Sequence, residues 1–128
     1  MIVDTSAIVA IFLREPGYKE IYRKIANAPQ VAIGAPTLVE CGLVLSNRLA
    51  TDARPLLSRF LSTANITVVA FSEAHYLAAT GAYLKYGKGR HPAKLNFGDC
   101  LTYAVAKLAQ MPLLFVGNDF TQTDLLLA

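Results

Sequence analysis

Short apolar runs of strand length alternate along this chain with longer segments of helical periodicity, and that alternation constrains the fold more than any single motif. Met1 to Val3 is strand-like and passes directly into Asp4-Thr5-Ser6, which supplies N-cap chemistry for an apolar helix from Ala7 to about Leu13. Pro16 and Gly17 break that helix, and an amphipathic one follows through Ile21, Tyr22, Ile25 and Ala26, ending between Asn27 and Pro29. A second strand is predicted from Gln30 to Ala35, with Pro36 in the first turn of a helix that reaches about Leu49. Thr51-Asp52 reads as a polar cap for a helix through Leu56, Leu57, Phe60 and Leu61, and Ile66 to Phe71 as a third strand. Ser72-Glu73 opens a long helix that stops at Gly87, residues 85 to 94 form a loop, and a further helix runs from Asp99 to about Gln110. The last strand is Leu113 to Val116, after which Gly117-Asn118-Asp119-Phe120 turns away. Strands separated by helices predict a three-layer α/β/α sandwich around a mainly parallel central sheet, in a single domain over residues 1–128.

A chain of 128 residues is long enough to bury a core and too short for two ordinary domains. It is apolar for its size, with 54% hydrophobic and 16% charged residues and a mean hydropathy of +0.39, so part of the apolar surplus is expected at an interface. The longest uninterrupted apolar run, Ala7 to Leu13, is far below the roughly 20 residues that cross a bilayer. Met-Ile-Val-Asp has no basic region before its apolar stretch and does not resemble a signal peptide, so the cytoplasm is the expected location. Cys41 and Cys100 fit neither a zinc motif nor a disulfide framework and are read as reduced, buried thiols. The net charge of +3 permits a polyanionic partner without requiring one.

The acids are few and their placement is not random. Of nine, Asp4, Glu40, Asp99 and Asp119 each fall where a predicted strand ends or a neighbouring helix begins. In a parallel sheet those positions converge on one crevice. Two unit charges about 4 Å apart repel by roughly 4 kcal/mol at an intermediate dielectric, so such a cluster persists when protons or divalent cations neutralise it. A magnesium or manganese site follows as the leading expectation, since these hard cations take oxygen ligands. Asp4, Asp99 and Asp119 each have an ordinary alternative as caps or turn formers. Glu40 does not, because it lies in an apolar helix among Val39, Cys41, Leu43 and Val44, where a carboxylate is expected to be buried and to need a partner. Around these four, Thr5 and Ser6 are candidates for hydrogen-bonding an acid or a phosphate, Asn96 for orienting Asp99, touching substrate or forming the turn, and Asp124 for a fifth, outer carboxylate.

Met1-Ile-Val-Asp4-Thr-Ser-Ala, Pro36-Thr-Leu-Val-Glu40, Leu95-Asn-Phe-Gly-Asp99-Cys and Leu114-Phe-Val-Gly-Asn-Asp119-Phe, in that order, resemble the PIN domain and more closely the VapC-type toxins of bacterial toxin–antitoxin pairs. The resemblance spans essentially the whole chain. It implies that Asp4, Glu40, Asp99 and Asp119 form an acidic pocket that binds Mg2+ or Mn2+ and hydrolyses RNA, leaving a 5′-phosphate and a 3′-hydroxyl. By that resemblance Asp4 and Asp99 contact the metal, Asp119 completes its inner or outer shell, and Glu40 binds metal or orients the attacking water. Gly117 departs from the pattern, since relatives often carry Ser or Thr there, and so removes a possible hydroxyl contact.

The loop contributes Lys85, Lys88, Arg90 and Lys94 with no acid among them, a candidate RNA-binding stretch, and Tyr83 and Tyr86 nearby could stack on bases. Arg14, Lys19, Arg23 and Lys24 form a second basic patch. The resemblance further implies a cognate VapB-type antitoxin, whose tail would lie near the early helices and put a basic residue into the acidic pocket, and a second copy of the chain in a homodimer. Rival readings fit less well. A dehalogenase-like phosphatase wants a second Asp where Ser6 stands, and a receiver domain wants an acceptor Asp where the chain has Phe71-Ser72-Glu73. A binding module that uses its acids only for recognition would lack turnover and metal dependence.

Overall fold

The computed structural model describes residues 1–128. In chain order the elements are β1 (Ile2–Val3), α1 (Thr5–Phe12), α2 (Tyr18–Asn27), β2 (Val31–Gly34), α3 (Ala35–Leu49), α4 (Arg54–Thr63), β3 (Ile66–Val69), α5 (Glu73–Tyr86), α6 (Phe97–Ala109) and β4 (Leu113–Leu114). The strands form one sheet in the order β3-β2-β1-β4, and every pair is parallel.

Strand alternation sorts the apolar side chains onto two faces, because successive residues of a strand point opposite ways. Val3, Val31, Ile33 and Leu114 join one core with Ala7, Ile8 and Ala10 of α1, Ile21 and Ile25 of α2, Cys41 and Leu45 of α3 and Leu57 of α4. Ile2, Ala32 and Leu113 join the other with Ala79, Ala82 and Tyr86 of α5 and Tyr103 to Ala106 of α6. The predicted three-layer sandwich is therefore the observed one. β1, β2 and β4 are buried throughout, as a sheet covered on both faces requires, whereas β3 is an edge strand with Thr67 and Val68 exposed. On the opposite edge the chain's last residues lie along β4: Leu113 N–H donates to Leu126 O at 2.9 Å, and Ala128 N–H to Leu113 O at 2.9 Å.

Several boundaries differ from the sequence reading, each for a local reason. β3 ends at Val69 because its partner Gly34 is the last residue of β2 before the chain enters α3, so Ala70 and Phe71 find no ladder. β4 is two residues long, since the Val116 N–H is taken by Ser6 Oγ at 2.9 Å and Gly117 then turns at φ +106°, a conformation that favours glycine. α6 begins at Phe97, ahead of Asp99, because Asn96 caps it. α4 begins at Arg54; its N-cap position is Ala53, and Asp52 just before it accepts the Arg54 N–H at 3.0 Å and pairs with its guanidinium. α5 includes Lys85 and Tyr86, so the basic loop proper starts at Gly87, whose N–H still bonds Tyr83 O at 2.8 Å.

The strand order positions the site. From β1 the chain steps outward to β2 and β3, then returns to the far side of β1 for β4. Such a reversal opens a crevice at the carboxyl ends of the two strands that flank it, here β1 and β4.

Candidate active site

Asp4 follows β1 at that crevice, its N–H donating to Leu114 O at 3.0 Å. Its backbone is extended at φ −86°, ψ 160°, and its carboxylate caps α1, which puts a charge among otherwise unpaired amides where the helix dipole favours it. Oδ2 accepts from both the N–H (3.1 Å) and the hydroxyl (2.7 Å) of Ser6, and Oδ1 accepts from the Thr102 hydroxyl at 2.9 Å. Asp4 is only 7% exposed, so these bonds replace most of the water it gives up. Ser6 Oγ in turn accepts the Val116 N–H, which ties the start of α1 to the segment leading to Asp119.

Asp99 sits in the first turn of α6. That helix leads into β4 and runs antiparallel to it, so its N-terminus lies at the carboxyl edge of the sheet. A reciprocal capping box fixes the turn: Asp99 N–H donates to Asn96 Oδ1 at 2.9 Å, and Asn96 N–H donates to Asp99 Oδ2 at 3.0 Å. Asn96 thus both caps the turn and holds the Asp99 carboxylate. Burial pushes the Asp99 carboxyl up to about 6; the Asn96 N–H opposes this, and the charges of Asp119, Asp4 and Glu40 add to it. The charges of three acids from three other elements thus reach Asp99.

Glu40 corrects an expectation. It is exposed, with exposed Val39 and Leu43 beside it, so α3 does not bury it without a partner. Its Oε1 accepts from the Thr5 hydroxyl, while Oε2 faces Gly98, where a Cβ would come within 2.7 Å. Glycine at 98 is therefore what allows the first turn of α6 to approach this carboxylate. Asp119 is also exposed, in a turn anchored by the buried ring of Phe120 against Phe115 at 5.2 Å. Asp124 lies elsewhere: it accepts from Tyr103 OH at 2.6 Å and Lys107 Nζ at 2.7 Å, and Lys107 is two turns along α6 from Asp99. Those donors hold its carboxyl down to about 2, the Lys107 bond first and Tyr103 second. The structure thus uses Asp124 to pin the C-terminal segment to α6 and does not bring it to the acidic crevice.

Both cysteines are free and buried, and burial pushes their thiols up to about 12 for Cys41 and about 11 for Cys100. Anionic donors at this edge are thus carboxylates alone, a set whose chemistry suits a hard divalent cation. In the arrangement seen, no three His, Cys, Asp or Glu side chains converge on a single ion position. The acids share an edge and a field, and their carboxylates stand apart, held by Thr5, Ser6, Asn96 and Thr102.

The basic loop runs from Gly87 into Leu95, directly before Asn96, and so borders the acids. The three ion pairs of the protein join Arg23 to Glu20, Arg54 to Asp52 and Lys107 to Asp124, which leaves Lys85, Lys88, Arg90 and Lys94 without an acidic partner. Arg90 stands over the exposed Tyr83 ring at 5.4 Å, whereas Tyr86 is buried against Tyr103 and His91 and is unavailable for stacking. His75 closes the cap of α5 with Ser72. Sequence reasoning missed Thr37 and Thr102. The one signal for Thr102 was a hydroxyl inside the run Cys-Leu-Thr-Tyr-Ala-Val-Ala, on a helix face otherwise apolar.

The PIN domain family model matches residues 1–126. Ribonuclease VapC36 of Mycobacterium tuberculosis is 48% identical over 126 residues, which is 98% of this chain and 91% of that one. Ribonuclease VapC42 of the same organism is 40% identical, covering 98% and 96%. Among solved structures, Mycobacterium tuberculosis VapC20, described as a toxin that cleaves the sarcin-ricin loop, superposes with a TM-score of 0.80 at 18% identity over 99% of this chain and 97% of that one. A toxin–antitoxin complex from Klebsiella pneumoniae gives 0.73 at 20% identity, covering 99% and 95%. An α/β/α sheet with acids at the β1/β4 switch point, matched end to end, defines the class: the chain belongs to the PIN-domain family. Within it, the chain groups with the VapC ribonucleases.

Proposed function

We propose that this chain is the toxin of a VapBC-type pair, a Mg2+- or Mn2+-dependent endoribonuclease that works at Asp4, Glu40, Asp99 and Asp119 and is silenced by a cognate antitoxin. The observation that carries the reading is hydrogen-bond geometry at the carboxyl ends of the strands, where Ser6 and Thr102 hold Asp4, Asn96 holds Asp99 and Thr5 holds Glu40. Carboxylates brought to one strand-end edge gain from a cation that neutralises them. When bound, the metal supplies an acidified water and neutralises charge on the phosphate oxygens.

The chain's own residues do the rest. Asp4, locked by Ser6 and Thr102, offers a fixed oxygen, and Asp99, turned by Asn96, offers a second. Glu40 keeps Oε2 free while Thr5 holds Oε1, which suits it to orient an attacking water. Asp119, exposed in the turn after β4, is the fourth carboxylate of the set. Lys88, Arg90 and Lys94, unpaired and bordering the acids, hold the RNA backbone with Lys85, and affinity falls with salt as counterions are released. A base can stack on Tyr83. The exposed apolar residues Val39, Leu43 and Phe97, the last 81% exposed, support protein contacts, with an antitoxin and a second copy of the chain as partners. No helix is long and apolar enough to cross a membrane, and a cytoplasmic location accords with an RNA substrate.

The test is cleavage of total cellular RNA by purified protein with magnesium, manganese or EDTA, comparing wild type with Asp4→Asn and Asp99→Asn and sequencing the new ends. Discrete metal-dependent cuts that vanish in both variants are the expected result. Absence of cutting by folded, metal-supplied, antitoxin-free protein on every RNA pool would refute the reading and favour a binding module.

A further inference from the structure

We infer that Thr37 and Thr102 form a one-way hydroxyl relay that leaves Asp4 a single open acceptor position, on Oδ1, and fixes its direction. The inference rests on the ribonuclease reading for its consequence and on hydrogen-bond arithmetic for its substance. Both hydroxyls are deeply buried, Thr37 at 3% and Thr102 at 1% exposure, on different helices. A threonine inside a helix ordinarily returns its hydroxyl to the carbonyl one turn back. Thr102 instead reaches Asp4, 98 residues away in sequence, at 2.9 Å, and lies 3.0 Å from Thr37 Oγ1.

A hydroxyl has one hydrogen, and an ionised carboxylate only accepts. Thr102 must therefore spend its hydrogen on Asp4 Oδ1, and its contact with Thr37 is satisfied only if Thr37 donates. The order is Thr37 to Thr102 to Asp4. Each donor polarises the next, and the last bond ends on a charge, where hydrogen bonds are strongest. On the other oxygen, Oδ2, the Ser6 N–H and hydroxyl occupy both acceptor positions. What remains to any cation, water or phosphate hydroxyl is the second position on Oδ1, and Thr102 decides where it points. Thr37 and Thr102 are thus positioning residues: they touch no substrate and act through Asp4. Thr5, adjacent in sequence, serves Glu40 in the same manner and also lies near Thr37 O, at 3.4 Å, so α3 carries the acid Glu40 and the far end of the relay one turn apart.

Three measurements test this. In wild-type protein with labelled threonine, two slowly exchanging hydroxyl protons are expected in the proton NMR spectrum, both perturbed by Asp4→Asn. Absence of protected threonine hydroxyl protons overturns the relay without recourse to any variant at 37 or 102. Thr102→Val keeps the volume and removes the donor; we expect Mn2+ affinity, by direct titration, and kcat each to fall about 10- to 100-fold, the range for lost partners of metal ligands, with KM for RNA unchanged. Thr102→Ser restores the hydroxyl and is expected to recover both. Thr37→Val, which cuts only the far end of the relay, shows a smaller loss in the same two quantities. A folded Thr102→Val with wild-type Mn2+ affinity and kcat overturns the proposal, as does a Thr102→Ser no better than Thr102→Val. Because the NMR and titration arms do not depend on cleavage, a wild-type protein that binds Mn2+ and shows the hydroxyls yet cuts no RNA would refute the ribonuclease reading alone.

Discussion

Asp4 and Asp119 stand at the ends of the two strands that flank the crevice, yet the protein treats them oppositely. Asp4 is buried and accepts three hydrogen bonds, from two donors of its own helix and one on α6. Asp119 is exposed in a turn held from beneath by Phe120. One carboxylate is oriented at folding; the other is free to be oriented by what arrives. The contrast teaches how a site of four acids tolerates its own repulsion. The charge that cannot reach water is compensated by hydroxyls and amides, and those of Glu40 and Asp119 are left to the solvent.

The sharpest way to break that contrast is to neutralise each acid in turn. Asp4→Asn is expected to abolish cleavage at every metal concentration while leaving the fold intact, because asparagine caps helices as well as aspartate does and its amide can donate to a Thr102 hydroxyl that has reversed. Asp119→Asn is expected to lose less and to recover as Mn2+ is raised. Metal titrations of both variants decide the matter, and equal, unrecoverable losses would erase the distinction.

An intermediate effect is expected from Gly98→Ala. A Cβ there would lie 2.7 Å from Glu40 Oε2, so the carboxylate must swing away from α6, and because Thr5 holds its other oxygen the movement strains a bond of the site. We expect kcat to drop about 10-fold, the lower end for a displaced partner of a metal site, with little change in melting temperature. A fully active Gly98→Ala would show that Glu40, like Asp119, adapts freely.

The smallest effect is on stability. The folded Asp99 carboxyl titrates near 6 against an ordinary 3.8, so between those values the folded protein binds more protons than the unfolded chain. Stability of the metal-free protein is therefore expected to fall as pH rises from about 4 to about 6 and to level off above. The group is half-buried and screened by solvent, which keeps the change to the order of 1 kcal/mol. Denaturant unfolding in EDTA across that window should show the decline, and excess Mn2+ at pH 7 should cancel it; a stability that rises through the window would mean that the Asn96 bond outweighs burial and the neighbouring charges at Asp99.

Much of this was legible from local chemistry. Asp4 before Thr5-Ser6 and Ser72 before Glu73 announce helix starts because a short polar side chain satisfies amides only a few residues away, whereas the cap that Asn96 gives α6 emerged only in the structure. The alternation of strands and helices gave the layers, and the order of the acids gave the crevice. Less legible were the lengths of β3 and β4, which depend on where a neighbouring strand stops, and the exposure of Glu40, which depends on what packs against its helix. Asp124, plausible as an outer acid by proximity in sequence, is drawn down α6 by Lys107 and Tyr103.

The sequence by itself determined which segments are strands and helices, the two-faced pattern of Ile2 against Val3 and Ala32 against Ile33, and the four carboxylates with the cations their chemistry favours. Those properties reside in nearest neighbours and in periodicity. Only the tertiary structure decided the order β3-β2-β1-β4, the burial that separates Asp4 from Asp119, and the meeting of Thr37 with Thr102 and of Thr102 with a carboxylate 98 positions away. Desolvation and hydrogen-bond geometry belong to the assembled neighbourhood of a group, and that neighbourhood exists only once the helices have docked on the sheet.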